Sequence, residues 1–179
     1  MILVHNYGYI KPLIMNKLFD IACNFTSNRF NEDLDKVIVN AIDKNVDKFL
    51  LVSAEMGDID RILDINNLYP NNCYFTSGVH PHHANDFFDE SPSILDKLVT
   101  EHNPNAIGET GLDFFRNISS YDNQVYAFEE QIKNYFDKNK VKLYILTPCF
   151  GSMCYVNYVS CLMSTILTQY PSSFNLLAK

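Results

Sequence analysis

Three short stretches of this chain carry the residue types from which a reactive site can be built. "AIGETGLDFFRNIS" (106–119) sets Glu109 between two glycines directly after a short apolar run, and adds Asp113 and Arg116. "GVHPHHAND" (78–86) holds His80, His82 and His83, three of the five histidines. "LFDIACNF" (18–25) places Asp20 and Asn24 inside an otherwise apolar segment. A carboxylate combined with imidazoles is the chemistry of a divalent ion, which acidifies water and polarises a phosphoryl or carbonyl oxygen. Neither a GxSxG nucleophile elbow nor a glycine-rich phosphate loop occurs, and nothing marks a serine or cysteine nucleophile.

Each candidate has a plain alternative. Glu109 is either a solvated acid in a turn, with Gly108 and Gly111 supplying positive φ, or an acid aimed at a ligand from a strand end. Its position after an apolar strand favours the second. His80, one residue past an apolar strand and fixed by Pro81, is placed to reach a metal or a phosphate. His82 reads equally as a ligand or a surface residue, and His83 as exposed. Asp20 needs a partner if buried, and a hydrogen bond to a neighbouring loop would serve. Asn24 is a turn residue or a polar site residue. Asp113 and Arg116 can form a local surface pair, or Arg116 can contact a phosphate.

The elements that position these residues alternate. Strands are expected at 18–25, 46–54, 73–79, 105–111 and 141–146. Between them lie one-sided helical patterns. Leu34, Val37, Ile38, Ala41 and Ile42 follow helical spacing, as do Ile94, Leu95, Leu98 and Val99 behind a Ser91 N-cap and a Pro92 at the first helical position. The pattern at 121–136 turns Val125, Phe128, Ile132, Tyr135 and Phe136 inward. A βαβαβαβαβ order with continuous apolar strands implies an α/β fold, its parallel strands covered by helices. Ligands of such folds bind beyond the carboxyl ends of the strands. All three polar stretches fall at that end.

Composition sets limits. The 179 residues suffice for one domain with a real core. A formal charge of −7 repels a polyanion overall, so a nucleic-acid ligand needs a local metal ion or a few placed cations. Five cysteines without a CxxC pair indicate neither a disulfide framework nor a zinc knuckle, and suit a reducing cytoplasm. The opening segment lacks the basic-then-apolar pattern of a signal peptide. Charge vanishes late in the chain: the last 37 residues hold only Lys179. That run is broken by Pro148, Gly151 and Asn157, and reads as a buried or irregular tail rather than a membrane span. The expected organisation is an extension over 1–17, a (β/α) unit over 18–146 and a divergent tail over 147–179.

"FDIACNFTSNRF", "GVHPHHANDF" and "AIGETGLDFFRNIS", in this order and spacing, resemble the TatD family of metal-dependent deoxyribonucleases over roughly residues 18 to 142. The resemblance implies a TIM-barrel metallohydrolase that cleaves phosphodiester bonds at DNA ends with a divalent ion, Mg²⁺ or a similar one; the chain's own composition adds the expectation of a cytoplasmic location and no membrane partner. Glu109 matches the family's metal-binding glutamate, and His80 the first histidine of its GVHPH segment, beside the metal. Catalysis is thus expected of Glu109 and His80, and phosphate or substrate contact of His80, His82 and Arg116. Asp20 and Asn24 form a first-strand candidate site. Many members carry an HxH pair on the first strand, where this chain has Ala22 and Asn24.

The family's remaining ligands, two histidines and an aspartate, lie in the second half of its barrel. This chain has no histidine after His102 and no aspartate after Asp137, and a full barrel takes about 250 residues. The expectation is therefore an incomplete barrel of about five strands. Two readings follow: a nuclease of this type, or an inactive half barrel that binds metal weakly and associates with itself or another chain through open sheet edges.

Overall fold

A computed structural model describes residues 17–138 and 142–145. The expected extension before residue 17 and the tail over 147–179 lie outside the described residues. Within them the order is β1 (Leu18–Cys23), α1 (Leu34–Asp43), β2 (Val46–Leu51), α2 (Ile59–Leu68), β3 (Cys73–Ser77), α3 (Ser91–His102), β4 (Ala106–Thr110), α4 (Tyr121–Lys138) and β5 (Lys142–Ile145). Short 3-10 turns at Asn28–Phe30, Met56–Asp58 and Pro81–Asp86 fill the loops.

The strands form one sheet in the order β1-β2-β3-β4-β5, every neighbouring pair parallel. Sequential order without reversal separates this sheet from a doubly wound one. Right-handed crossovers repeated in one direction place the helices on one face and curl the sheet toward a barrel. The core follows from that winding. Cys23, Phe49, Leu51, Cys73 and Phe75 on the strands pack with Leu34, Ile38, Ile59, Ile62 and Ile65 on α1 and α2. Ile38, Ile62 and Ile65 are fully buried, at the spacing that an amphipathic helix predicts.

The ends of α1 and α3 are set by asparagine rather than glycine. Asn103 ends α3 in the left-handed conformation (φ 48°), and Asn45 (φ 68°) follows α1 before β2 begins. Asparagine tolerates that region better than other residues with a Cβ.

The structure corrects several helix details. Ser91 is the first residue of α3, with Glu90 at the cap position, and its Oγ accepts the Phe88 N–H at 3.0 Å. It closes the preceding turn instead of capping the helix. Ile94 is 43% exposed, because Leu95 and Val99 already fill the space against Ile107. On α4, Phe128 and Ile132 are buried as expected, but Val125 is only half-buried. Gln124 and Gln131 share the buried face with Ala127. The side chains of Tyr135 and Phe136 lie outside the described residues.

Candidate active site

The carboxyl ends of β2, β3 and β4 are tied side by side through their backbones. The Glu109 N–H donates to Ser53 O at 3.0 Å, and the His80 N–H donates to Ala54 O at 2.8 Å. Adjacent residues after β2 thus hold the two principal candidates on one rim. Ser53 itself is buried, its N–H donating to Thr76 Oγ1 at 3.0 Å. Its hydroxyl lies 2.9 Å from both Gly78 O and Glu55 O.

Two glycines make this closure sterically available. The β3–β4 ladder pairs Thr76 with Ala106 and Ser77 with Ile107, and Gly78 and Gly108 follow. A Cβ at Gly78 would stand 2.7 Å from the N, Cα and C atoms of Gly108, closer than side-chain carbons come to backbone. Without that Cβ, the end of β4 settles against β3, and Glu109 reaches the carbonyl after β2. Gly108 has φ 140°. It is the only glycine with positive φ among the described residues, so the Gly111 half of the turn expectation does not hold. Glu109 is half-buried within β4. Burial pushes its carboxyl pKa up, an effect partly offset by His82.

His80 opens the 3-10 turn Pro81–Asp86, and its Nδ1 accepts the His82 N–H at 3.1 Å. A neutral imidazole accepting at Nδ1 carries its proton on Nε2. Burial, together with the nearby His82, His83 and Arg116, lowers the His80 pKa to about 4, although Asp113 opposes the shift. The ring is therefore neutral near pH 7. The His82 ring lies edge-on to it, with centroids 4.3 Å apart. His82 Nε2 sits 2.7 Å from Asp113 Oδ2.

Asp113 is the buried centre of this cluster. Only 2% of it is exposed, so the expected surface pair with Arg116 is instead an anchored one. Arg116 Nη1 donates to Oδ2 at 2.8 Å and the Arg116 N–H to Oδ1 at 3.1 Å. Burial raises the Asp113 pKa, but the bonds from His82 and Arg116 outweigh it and bring it to about 2. A carboxylate so held stays ionised and fixes the orientation of both the imidazole and the guanidinium. Roughly half of the Arg116 side chain remains exposed, which leaves guanidinium surface for an anion.

The first-strand candidates are not drawn into this cluster. Asp20 is exposed rather than buried, and its Oδ1 accepts the Ala22 N–H at 3.1 Å. Asn24 is exposed, and its Oδ1 accepts from Thr26 Oγ1 at 3.0 Å. Both close local turns. His83 is half-buried rather than exposed, its Nδ1 3.7 Å from Glu55 Oε2.

Sequence reasoning missed four residues that shape the rim: Ser53, Ser119, Gln124 and Gln131. Ser119 Oγ donates to His82 O at 2.8 Å. The two glutamines could have been suspected from their phase, since both fall on the apolar stripe of α4 where a solvated amide has no place. For a divalent ion the donor set is partial. Glu109 is a carboxylate at the rim, but no cluster of three or more candidate ligands occurs among the described residues. The described residues thus fit an ion anchor and not a complete ion site.

Known proteins share this framework. The family described as TatD related DNase matches residues 19–140. A 3'-5' ssDNA/RNA exonuclease TatD from Erwinia tasmaniensis is 39% identical over 115 residues, 64% of this chain and 44% of the relative. A protein of the same name from Cronobacter turicensis is 40% identical over 116 residues, 65% of this chain and 44% of its own. The chain thus spans less than half the length of these relatives. In structure it is similar to a TatD family hydrolase from Entamoeba histolytica, with TM-score 0.72 and 20% identity, over 87% of this chain and 56% of the other. A TatD homolog from Escherichia coli gives TM-score 0.65 at 23% identity, over 72% and 49%. These two likenesses establish the TIM-barrel type of the fold, present here as part of a barrel. On the extent of the family match, which covers more than half of its residues, the chain belongs to the family of TatD related DNases.

Proposed function

We propose that this chain carries the amino-terminal part of a metal-dependent hydrolase site that cleaves phosphodiester bonds at nucleic-acid ends. The observation that carries it is the pairing of Glu109 and His80 on one rim through the successive carbonyls of Ser53 and Ala54. Metal dependence is general for the family and implies a divalent cation, for which we propose Mg²⁺. Such an ion, when bound, lowers the pKa of water and polarises a phosphoryl oxygen. Glu109 is its anchor. His80, neutral and fixed in one tautomer, offers an N–H to a phosphate oxygen or leaving group. Arg116, oriented by Asp113, supplies positive charge for a phosphate on a protein whose net charge is −7, and His82, held by the same carboxylate, lies beside it as a further polar contact. Asp20 and Asn24 are a secondary site at most, given their local bonds.

The relatives named as 3'-5' ssDNA/RNA exonucleases suggest single strands with a free 3' end as substrate. No helix among the described residues is long and apolar enough to cross a membrane, which accords with the cytoplasmic location we propose. The test is release of mononucleotides from 3'-labelled single-stranded DNA, with and without Mg²⁺. Glu109→Ala should lower the rate by about 100-fold or more, the scale on which loss of a key electrostatic group acts. Equal activity of the variant would refute the assignment.

A second reading has its own observation. Leu18, Phe19 and Ile21 on the edge strand β1 are each about half exposed. An apolar edge strand of this kind invites pairing. In this reading the chain binds metal weakly, lacks activity, and associates with itself or with another chain. A monomer in sizing experiments, combined with a cooperative melt, excludes it.

A further inference from the structure

The buried face of α4 carries two primary amides, Gln124 and Gln131, seven residues and so about two turns apart. Each is 1% exposed or less, and each pairs with both backbone groups of a single residue. Gln131 Oε1 accepts the Val79 N–H at 2.7 Å, while its Nε2 donates to Val79 O at 3.0 Å and to Ala127 O at 3.0 Å. Gln124 Oε1 accepts the Asp113 N–H at 2.7 Å. Its Nε2 donates to Ser119 O at 2.7 Å and, at 3.4 Å, to Asp113 O.

A side-chain amide has one acceptor and two donors in a fixed plane. Paired with both polar groups of one residue, it acts as a short surrogate strand and fixes that residue in translation and in rotation. The two residues so held are not arbitrary. Val79 directly precedes His80. Asp113 orients His82 and Arg116 through its carboxylate. Ser119, gripped by Gln124 through its carbonyl, returns a hydroxyl bond to His82 O.

We propose that Gln124 and Gln131 are positioning residues that set the His80–His82 imidazole pair from the rear, Gln131 through the Val79 peptide and Gln124 through Asp113 and Ser119. An apolar residue would fill the same space but leave the Val79 and Asp113 backbone groups buried and unpaired, while the strand ends are already tied to one another through Ser53 and Ala54. Two saturated amides at the two backbone sites flanking the imidazoles do what packing alone does not: they define angles. The inference rests on the proposed reading of the rim as a reaction site for its purpose, but not for its first measurement.

That measurement is long-range ¹H–¹⁵N NMR of the histidine rings in the full chain near pH 7. In the wild type, His80 should show widely separated Nδ1 and Nε2 signals, the signature of one tautomer. In Gln131→Met, which keeps length and removes the amide, the two signals should converge. Gln131→Glu, protonated in this buried place, still presents one acceptor and one donor, and should keep the separation. Lys133→Ala on the exposed side of α4 should change nothing. A fixed His80 tautomer in Gln131→Met overturns the inference, since a merely structural amide would lower the melting temperature and leave the ring alone. Should Gln131→Met not fold, a converged pair in Gln131→Glu overturns it equally. In the nuclease assay, Gln131→Met should lose about 100-fold in kcat with KM little changed, as expected for a misplacement near 1 Å. Absence of nucleotide release by the wild type defeats the proposed function, while the ring signals still decide this one.

Discussion

The rim at the ends of β3 and β4 and the exposed strand β1 are built from similar residue types, yet differ in how their polar groups are held. At the rim several backbone and side-chain groups are matched across long sequence distances. His80 and Glu109 bond to the loop after β2, His82 to Asp113, and Val79 to Gln131 at a separation of 52 residues. On β1 the polar side chains turn back on their own neighbours, Asp20 to Ala22 and Asn24 to Thr26. Charge alone therefore does not make a site. Under the proposed function, the carboxylate that several elements surround in a partly buried place serves the site, and the one held only by its own segment stays a turn residue.

The contrast can be broken most strongly at the glycine contact. Gly78→Ala drives a Cβ into the Gly108 backbone at 2.7 Å and should destabilise the protein by about 3 kcal/mol, the upper range for overpacking. Gly57 has nothing within 4 Å of the place its Cβ would take, so Gly57→Ala should stay within about 0.5 kcal/mol. Urea melts of the two variants give the comparison directly. A similar loss in both would mean that the close approach of β3 and β4 is not what sets the rim.

A middle-sized effect is expected from acid. The His80 pKa falls from an ordinary 6.5 to about 4 on folding, so between those values the unfolded chain binds more protons than the folded one. The stability tied to neutral His80 is complete above pH 6.5 and is lost as pH falls toward 4. Glu109, whose pKa is raised, works in the opposite direction where it titrates. The difference between the wild type and His80→Asn isolates the histidine. That difference should shrink steadily from pH 6.5 to pH 4, and a flat difference would contradict a buried neutral ring. Below about pH 4 a second loss should follow as Asp113, held near 2, takes up its proton.

The smallest effect belongs to β1. Asp20→Ala removes one exposed local bond and should change stability by no more than about 0.5 kcal/mol. It should also leave nucleotide release within about twofold of the wild type. A large loss of activity there would move the reaction site toward the first strand and shorten the list of differences between the two regions.

The alternation of apolar strands with one-sided helices, and the position of Glu109 and His80 at strand ends, were legible in the sequence. Both depend on local periodicity and on the general rule that parallel sheets bind at their carboxyl edge. The family motifs were equally local. What the periodicity could not show was the environment of each polar group. Asp113 reads as a surface partner for Arg116 until Leu112 and α4 close around it, and Asp20 reads as buried until β1 is seen at the edge of the sheet. Gln124 and Gln131 stand out in the sequence only by their phase on the apolar stripe of α4, and their partners could not be read there, because Val79, Asp113 and Ser119 lie outside that helix. Sequence fixes which groups a chain carries and how each segment turns. Burial and the pairing of distant donors with acceptors arise only when the elements pack, and those two quantities decide whether a carboxylate, an imidazole or an amide does chemistry, supports it, or faces water.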